Sequence, residues 1–400
     1  MTSPALVRPR PVHHPADLLA AYLPGSFYYS SPRGSLLADG ILTTVQAAHG
    51  HRAAAVAETL DSVATAGIER PLVVGAIGFR PDAQTSLVVP AVVRRAGKPD
   101  AAADATRSVF GLARWSVTPR PEPAAYAAQV RKALARIDAG GLDKVVLARC
   151  LELSADDKIA VPDLLARLVR ADPAAHAFAV DVTAPGDPAI RTLLGASPEL
   201  LVSRRGRQVV ANPLAGSLPR AADDAENQRR IAALLGSDKD RREHAHVVHQ
   251  VAEVLGQFCA DVQVPAEPAV VGTPTMWHLS SRVVGEIADP HDPGSSALAM
   301  AEALHPTPAV CGVPTVTARD AIAELEPEDR GYYSGLVGWT NVDGDGEWVV
   351  TIRSAEVCER EVRMFAGAGI VAGSDPEAEL AETSAKFRTL LRALGLEELT

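Results

Sequence analysis

The sequence predicts an α+β fold (α/β in the broad sense) built on large antiparallel sheets and organised as one domain. Short apolar runs follow one another in hairpin order, and helical patterns are inserted between them in groups, which suits antiparallel sheets with segregated helices. No internal repeat and no clean mid-chain linker divides the 400 residues. That length could hold two or three domains, yet single large sheets reach it too. Hydrophobic content of 47% is ample for a large core, and 22% charged residues is ordinary for a globular chain. The net charge of −10 argues against nucleic acid or an anionic membrane as partner, but not against a small anion held by a local field. Cys150, Cys259, Cys311 and Cys358 are far apart and form no Cys-x-x-Cys pair. That disfavours zinc or disulfide frameworks and suits a reducing cytoplasm. No apolar run approaches the ~18 residues of a membrane helix.

Taken in order, residues 1–15 are proline-rich and lack an apolar stretch, so they read as a loose tail, neither signal peptide nor membrane helix. From Leu18 to about Val93, runs such as Pro71–Phe79 suggest strands, with an alanine-rich helix near Ala53–Ala66. The polar, aperiodic segment Ala96–Arg107 reads as a surface connection. Tyr126, Val130, Leu134 and Ile137 keep helical spacing, and Gly140-Gly141 ends that helix. Leu142–Arg149 alternates as a strand, and further strands are expected at His176–Val182, Thr192–Ala196, Leu200–Ser203 and Gln208–Ala211. Helices follow at about Ala221–Leu235 and Lys239–Cys259, the second with Val247, Val251, Val254 and Leu255 on an apolar stripe. Strands Met276–Leu279 and Val283–Ile287 and helices Ser295–Leu304 and Ala318–Leu325 precede a final block. That block holds strands Gly335–Thr340, Glu347–Glu356 and Arg363–Ala366. A glycine turn at Gly367-Ala368-Gly369 then leads into a terminal helix, which Asp375-Pro376 would start well.

Several motifs fail on inspection. Asn341–Gly346 imitates a calcium loop, but Ile352 stands where its last carboxylate belongs. Gly195-Ala-Ser-Pro-Glu199 lacks the second glycine of a nucleophile elbow. His244, His246 and His249 are not at zinc-helix spacing. More survives in the acidic pairs. Glu379 and Glu382 stand at i and i+3 on the terminal helix, side chains about 5–6 Å apart, and repel unless a cation or proton is shared. Asp240 and Glu243 repeat that spacing at the start of their own helix. Alone they make a solvated face; across two helices, the four carboxylates would suit Mg²⁺ with an anionic substrate group. Gly367 and Gly369 would let backbone N–H groups approach an anion. Lys144 opens an apolar strand, either as an edge lysine reaching water or as a desolvated base. Glu199 follows a proline at a strand start, Pro213–Ser217 adds a close-approach glycine, and Arg353 could clamp a carboxylate.

Read together, these segments resemble the chorismate-utilising enzymes, specifically the isochorismate synthases. The strings are Lys144–Arg149, Gly195–Leu201, Pro213–Ser217, Lys239–His244, Trp277–Leu279, Leu304–Gly312, Gly331–Trp339, Gly346–Arg353 and Phe365–Thr383. They cover residues 120–400, the motif-bearing half of a domain spanning 16–400; residues 16–110 carry no comparable signature. The resemblance implies stacked antiparallel sheets flanked by helices, with the active site in the cleft between, Mg²⁺ as cofactor and chorismate as substrate. It implies Lys144 as the base that activates water at ring C2 and Glu199 as the acid that protonates the departing C4 hydroxyl. Glu243 and Glu382 would bind Mg²⁺, with Glu379 and Asp240 nearby, directly or through water. Arg353, Gly216 and the Gly367–Gly369 backbone, Ala368 included, would position carboxylates, supported by Ser217, His278 and Lys386.

The competing readings are a salicylate synthase that also eliminates pyruvate, an ammonia-using anthranilate or aminodeoxychorismate synthase, and an inactive scaffold relative. Lys144, Leu304-His-Pro-Thr and Pro213–Ser217 favour water as nucleophile. The chain is therefore expected to be a cytoplasmic monomer needing no glutaminase partner, feeding siderophore or menaquinone synthesis.

Overall fold

The long apolar runs of this chain have to bury two faces each, and the fold meets that demand by curling one sheet onto itself. The structure, a computed structural model, describes residues 14–99 and 114–396. Among them, 17 strands join one sheet and 3 form another, all with antiparallel pairing. From one edge the ladder runs Trp115–Arg120, Lys144–Ala155, Glu361–Val371, Ser354–Cys358, Arg191–Ser197, His176–Asp181, Phe27–Ser31 and Gly34–Thr44. It continues through Thr85–Ala96, Leu72–Ile77, Leu336–Asn341, Gly346–Val350, Leu200–Arg205, Gln208–Asn212, Val283–Ile287 and Cys259–Gln263. The short strand Gly312–Val313 pairs with Lys144 and Val145.

A twisted sheet of this length cannot stay open and flat. Its two runs stack, and Phe27, Tyr29, Phe178 and Leu193 of the first pack against Val74, Leu200, Val337 and Val349 of the second. The outer face of the first run is covered by helices Pro15–Ala20, Val161–Ala171 and Pro376–Leu394, through Leu18, Leu164, Leu168, Phe387 and Leu391. Helices Arg52–Thr65, Asp238–Leu255 and Ala297–Leu304 cover the second run through Val56, Val247, Val251 and Met300. Pro123–Asp138 and Thr315–Leu325 close over Val145, Leu147 and Ile370. The second sheet, Leu214–Pro219, Met276–Ser280 and Ala269–Gly272, lies beside the 238–255 helix. The expected stacking is present, but the two layers are one continuous sheet.

Four expectations are corrected. The strand expected to alternate at Leu142–Arg149 is Lys144–Ala155, and Lys144 to Leu151 are buried on both faces because helices cover one side and the stacked layer the other. The run expected as one strand over Glu347–Glu356 is two, Gly346–Val350 and Ser354–Cys358, broken where Arg353 takes a left-handed φ of 52°. The 238–255 helix ends at Gly256, and Cys259 begins an edge strand instead of ending the helix. Gly367-Ala368-Gly369 is no turn: all three lie inside strand Glu361–Val371, and the turn falls at residues 372–374. Sequence periodicity also passed over strands Thr85–Ala96, Trp115–Arg120, Leu214–Pro219 and Ala269–Gly272 and the helix Val161–Ala171. Of the tail expected at 1–15, residues 1–13 lie outside the described ones, while His14 caps and Pro15 opens the first helix. Much of the connection expected at Ala96–Arg107 also lies outside them.

Candidate active site

Two neighbouring crossings carry the chain between the stacked layers. At one, Ser197-Pro198-Glu199 leaves strand Arg191–Ser197 for Leu200–Arg205; at the other, residues 351–353 leave Gly346–Val350 for Ser354–Cys358. They are tied together, since Ser197 Oγ donates to Val350 O at 2.7 Å and Val350 N donates to Glu199 O at 3.2 Å. Glu199 and Arg353 are therefore placed at one spot by the curl of the sheet. Both line a small cavity of about 60 Å³, shared with Val146, Gly216, Ser217, Glu243, His278, Gly367, Gly369, Glu382 and Lys386. A larger cavity of about 720 Å³ lies elsewhere, lined by Phe27, Leu87 and Val182 among others, and none of the residues singled out from the sequence lines it. Chemistry, not size, marks the smaller one.

Lys144 is fully buried, and its Nζ donates to Glu243 Oε1 at 2.9 Å. The solvated-edge reading of this lysine is excluded. Burial is the largest influence on Glu243 and pushes its carboxyl up, but Lys144, Lys386 and Lys239 together outweigh it and hold the group below the usual range. Glu199, 2% exposed, behaves oppositely: burial raises it to about 7 against the pull of the Leu214 backbone and of Lys144, Lys386 and Arg353. A carboxyl poised there is half protonated at neutral pH. Burial also lowers Arg353, to about 10.

The glycines matter by close approach. A Cβ on Gly369 would stand 2.6 Å from Glu243 Oε1 and 3.1 Å from Lys144 Cε. Gly216, at φ +76°, would put a Cβ 3.0 Å from that of Asp240. Backbone direction follows from the ladder. Val146 donates to Cys311 O, and Ala148 N donates to Glu326 Oε1, so both turn away from the strand facing them. Their partners Gly369 and Gly367 must then turn outward on their own side, where Lys386 Nζ donates to Gly367 O at 2.8 Å. Ala368, expected among the substrate-binding residues, is excluded by the same pleat. It faces Leu147 across the ladder, its side chain is fully buried, and it does not line the cavity.

Ser217 and His278 face each other across the small sheet and share a hydrogen bond of 2.8 Å between Oγ and Nδ1. Burial, then Arg353 and Lys386, hold His278 well below the usual imidazole range, so its ring is neutral. Glu199 Oε1, His278 Nε2 and Arg353 Nε are buried without hydrogen-bond partners among the described residues. Three unpartnered polar atoms in one cavity call for a polar ligand.

The four expected metal ligands divide. Glu243 and Glu382 line the cavity; Glu379 and Asp240 do not. Each glutamate is met by a lysine: Glu243 by Lys144, Glu382 by Lys386 at 2.6 Å and Glu379 by Lys239 at 3.1 Å. No group of three or more His, Cys, Asp or Glu among the described residues forms a ready metal site. Glu379 is nonetheless raised by burial and by Glu382, and Asp240 by burial and by Glu243 and Glu382. Hard oxygen donors that repel one another across two helices fit a divalent cation of the Mg²⁺ kind.

Residues 34–395 match the family described as chorismate binding enzyme. The chain belongs to that family. Among curated chorismate-binding relatives, it is 49% identical to isochorismate synthase DhbC of Bacillus subtilis over 96% of each chain. It is 40% identical to the vibriobactin-specific isochorismate synthase of Vibrio cholerae, over 93% of this chain and 92% of the relative. A solved DhbC from Bacillus anthracis, described as 2,3-dihydroxybenzoate-specific, superposes with TM-score 0.90 at 43% identity, covering 95% of this chain and 99% of that one.

Other residues of this cavity escaped sequence reasoning. Tyr333 and Phe365, stacked with ring centres 5.2 Å apart, line the cavity with Ile352. Behind them Arg330 is buried against Glu326 and donates at 2.8 Å to Val146 O and Val310 O, while Glu326 accepts from Ala148 N. This ion pair brackets the strand that Lys144 opens. The string Gly331-Tyr-Tyr-Ser-Gly335 marked the neighbourhood, but nothing in its spacing assigns the brace.

Proposed function

We propose that the chain is an isochorismate synthase, adding water at ring C2 of chorismate and expelling the C4 hydroxyl. The observation that carries this reading is Glu199, buried at the cavity and raised to about 7, with the fully buried Lys144 behind the cavity wall, hydrogen-bonded to its Glu243. Moving a hydroxyl between two ring carbons requires a base for the incoming water and an acid for the outgoing oxygen. It requires neither a redox group nor a covalent nucleophile. Lys144 Nζ takes a proton from the attacking water, the ring double bonds shift, and Glu199 gives its proton to the leaving oxygen, so one water enters and one leaves.

Arg353, Lys386 and the outward amides of Gly367 and Gly369 hold the substrate carboxylates. Ser217 and neutral His278 offer hydrogen bonds beside Gly216, whose missing side chain keeps the 238–255 helix close. Glu243 and Glu382 would hold Mg²⁺, with Glu379 and Asp240 nearby, directly or through water. Such an ion would supply positive charge for a substrate carboxylate. The siderophore branch, through 2,3-dihydroxybenzoate, is favoured by the names of the relatives above. We read residues 16–400 as one unit because the sheet threads both halves. A cytoplasmic monomer without a glutaminase subunit is the working assembly.

Purified protein incubated with chorismate and Mg²⁺ should yield isochorismate without pyruvate, and Lys144→Ala should yield none while keeping its circular dichroism. Salicylate with pyruvate would replace this reading with a synthase–lyase, and anthranilate formed with ammonium would replace it with an aminating enzyme.

A further inference from the structure

Arg353 and Pro198 line a second cavity as well as the catalytic one. It is about 310 Å³, against about 60 Å³ for the catalytic cavity, and Arg167, Arg392 and Thr275 contribute to its wall. A third cavity, about 330 Å³, shares Asp172, Pro198 and Thr273 with it and adds Arg33, Arg282 and His176. The two outer spaces share wall residues, and Arg353, with its unpartnered guanidinium edge, borders both the first of them and the catalytic cavity, the order a path inward would take. Five arginines line them, Arg353 included, and Asp172 is the one acid. Arg282 and Arg392 are exposed and form no ion pair among the described residues. Arg353 is buried, and its left-handed φ of 52° stores strain of a kind found at functional positions.

Electrostatics gives this path a purpose. The chain carries −10, which repels a dicarboxylate at long range, so productive encounters need a local positive field. The catalytic cavity is also too small to be filled without some opening, and Arg353 is the side chain common to both sides.

We propose that the two outer cavities are the access vestibule for the dianionic substrate, where Arg392 and Arg282 attract a carboxylate and Arg353 passes it to the catalytic cavity. The proposal rests on the chorismate reading above. A group that only steers lowers kcat/KM and its salt dependence without changing the chemical step.

The test is steady-state kinetics with chorismate and Mg²⁺ across ionic strength, for the full chain, Arg392→Glu, Arg282→Glu and the control Arg136→Glu. Arg136 pairs with Glu324 on the 123–138 helix and lines neither vestibule cavity. Each vestibule reversal should lower kcat/KM about 5- to 10-fold at low salt, leave kcat within twofold, and flatten the salt slope; the control should do none of this. Stopped-flow association of chorismate with the Glu199→Gln background should slow by the same factor. Unchanged kcat/KM and salt slope in both reversals, an equal effect of the control, or a fall in kcat itself would each overturn the vestibule. Wild-type protein that fails to turn over chorismate would overturn the functional reading and the vestibule together, whereas active protein with unaffected reversals would overturn the vestibule alone.

Discussion

Glu199 shows how one residue carries opposing demands. Its carboxyl stays ready to donate a proton because burial raises it to about 7, and the same burial penalises the ionised form in the fold. The sign is definite. A group whose folded value lies above its unfolded value of 4.5 binds extra protons when folded, so stability falls as pH rises from about 4.5 to 7. The gap corresponds to about 3 kcal/mol. Glu199→Gln should therefore melt higher than wild type at pH 8, and at no higher temperature at pH 4, while losing turnover at least 1000-fold. In wild type, kcat/KM should fall on the alkaline side of an apparent value near 7. A variant with unchanged melting temperature at pH 8 would show that the carboxyl is not desolvated. Lys144 was visible in the sequence as a lysine in an apolar run, with two readings open. Only its full burial and its contact with Glu243 removed the solvated-edge reading.

At the scale of elements, strand Glu361–Val371 was anticipated while its glycines were misplaced. Two glycines two residues apart suggest a turn, but here Gly369 clears one face of a strand so that Glu243 and Lys144 can meet over it, while Gly367 leaves room for Tyr333. Gly369→Ala should accordingly lower kcat/KM at least 10-fold by separating that pair, with a melting temperature within a few degrees of wild type. An active variant would mean that the contact is slack. The Arg330–Glu326 brace is a different case, since both side chains are buried and hold backbone atoms of the catalytic strand. Arg330→Ala leaves Glu326 uncompensated and should cost about 3–5 kcal/mol in chemical denaturation. A loss below 1 kcal/mol would show that water replaces the guanidinium.

For the whole molecule, the buried histidines set the acid limit. Burial holds His176, His244 and His305 each at about 4, against an ordinary value of 6.5. Groups depressed in this way stabilise the fold fully above pH 6.5, and that contribution is lost as pH falls from 6.5 toward 4. The melting temperature should therefore decline between pH 6.5 and 5, before ordinary carboxylates titrate. A flat profile across that interval would contradict the neutral, buried state of these rings. All three lie in different parts of the fold: one in a strand of the first run, one in the 238–255 helix and one after Leu304. The decline should accordingly appear in the global transition.

By itself, the sequence determined most elements and the chemistry they carry. Helix starts such as Asp375-Pro376, apolar runs and charged pairs are local signals, written within a few residues of where they act. The roles expected of Lys144, Glu199, Glu243 and Glu382 came instead from the resemblance of the whole ordered set of strings, since each string alone left its residue open. Tertiary structure alone decided that the stacked layers are one curled sheet and that residues 197–199 and 351–353 cross it side by side. It also decided that Glu243 meets Lys144 and Glu379 meets Lys239, that Ala368 faces away, that Tyr333 joins the site and that Arg330 braces the strand behind it. Those facts depend on strand pairings hundreds of residues apart, whose register no local pattern encodes.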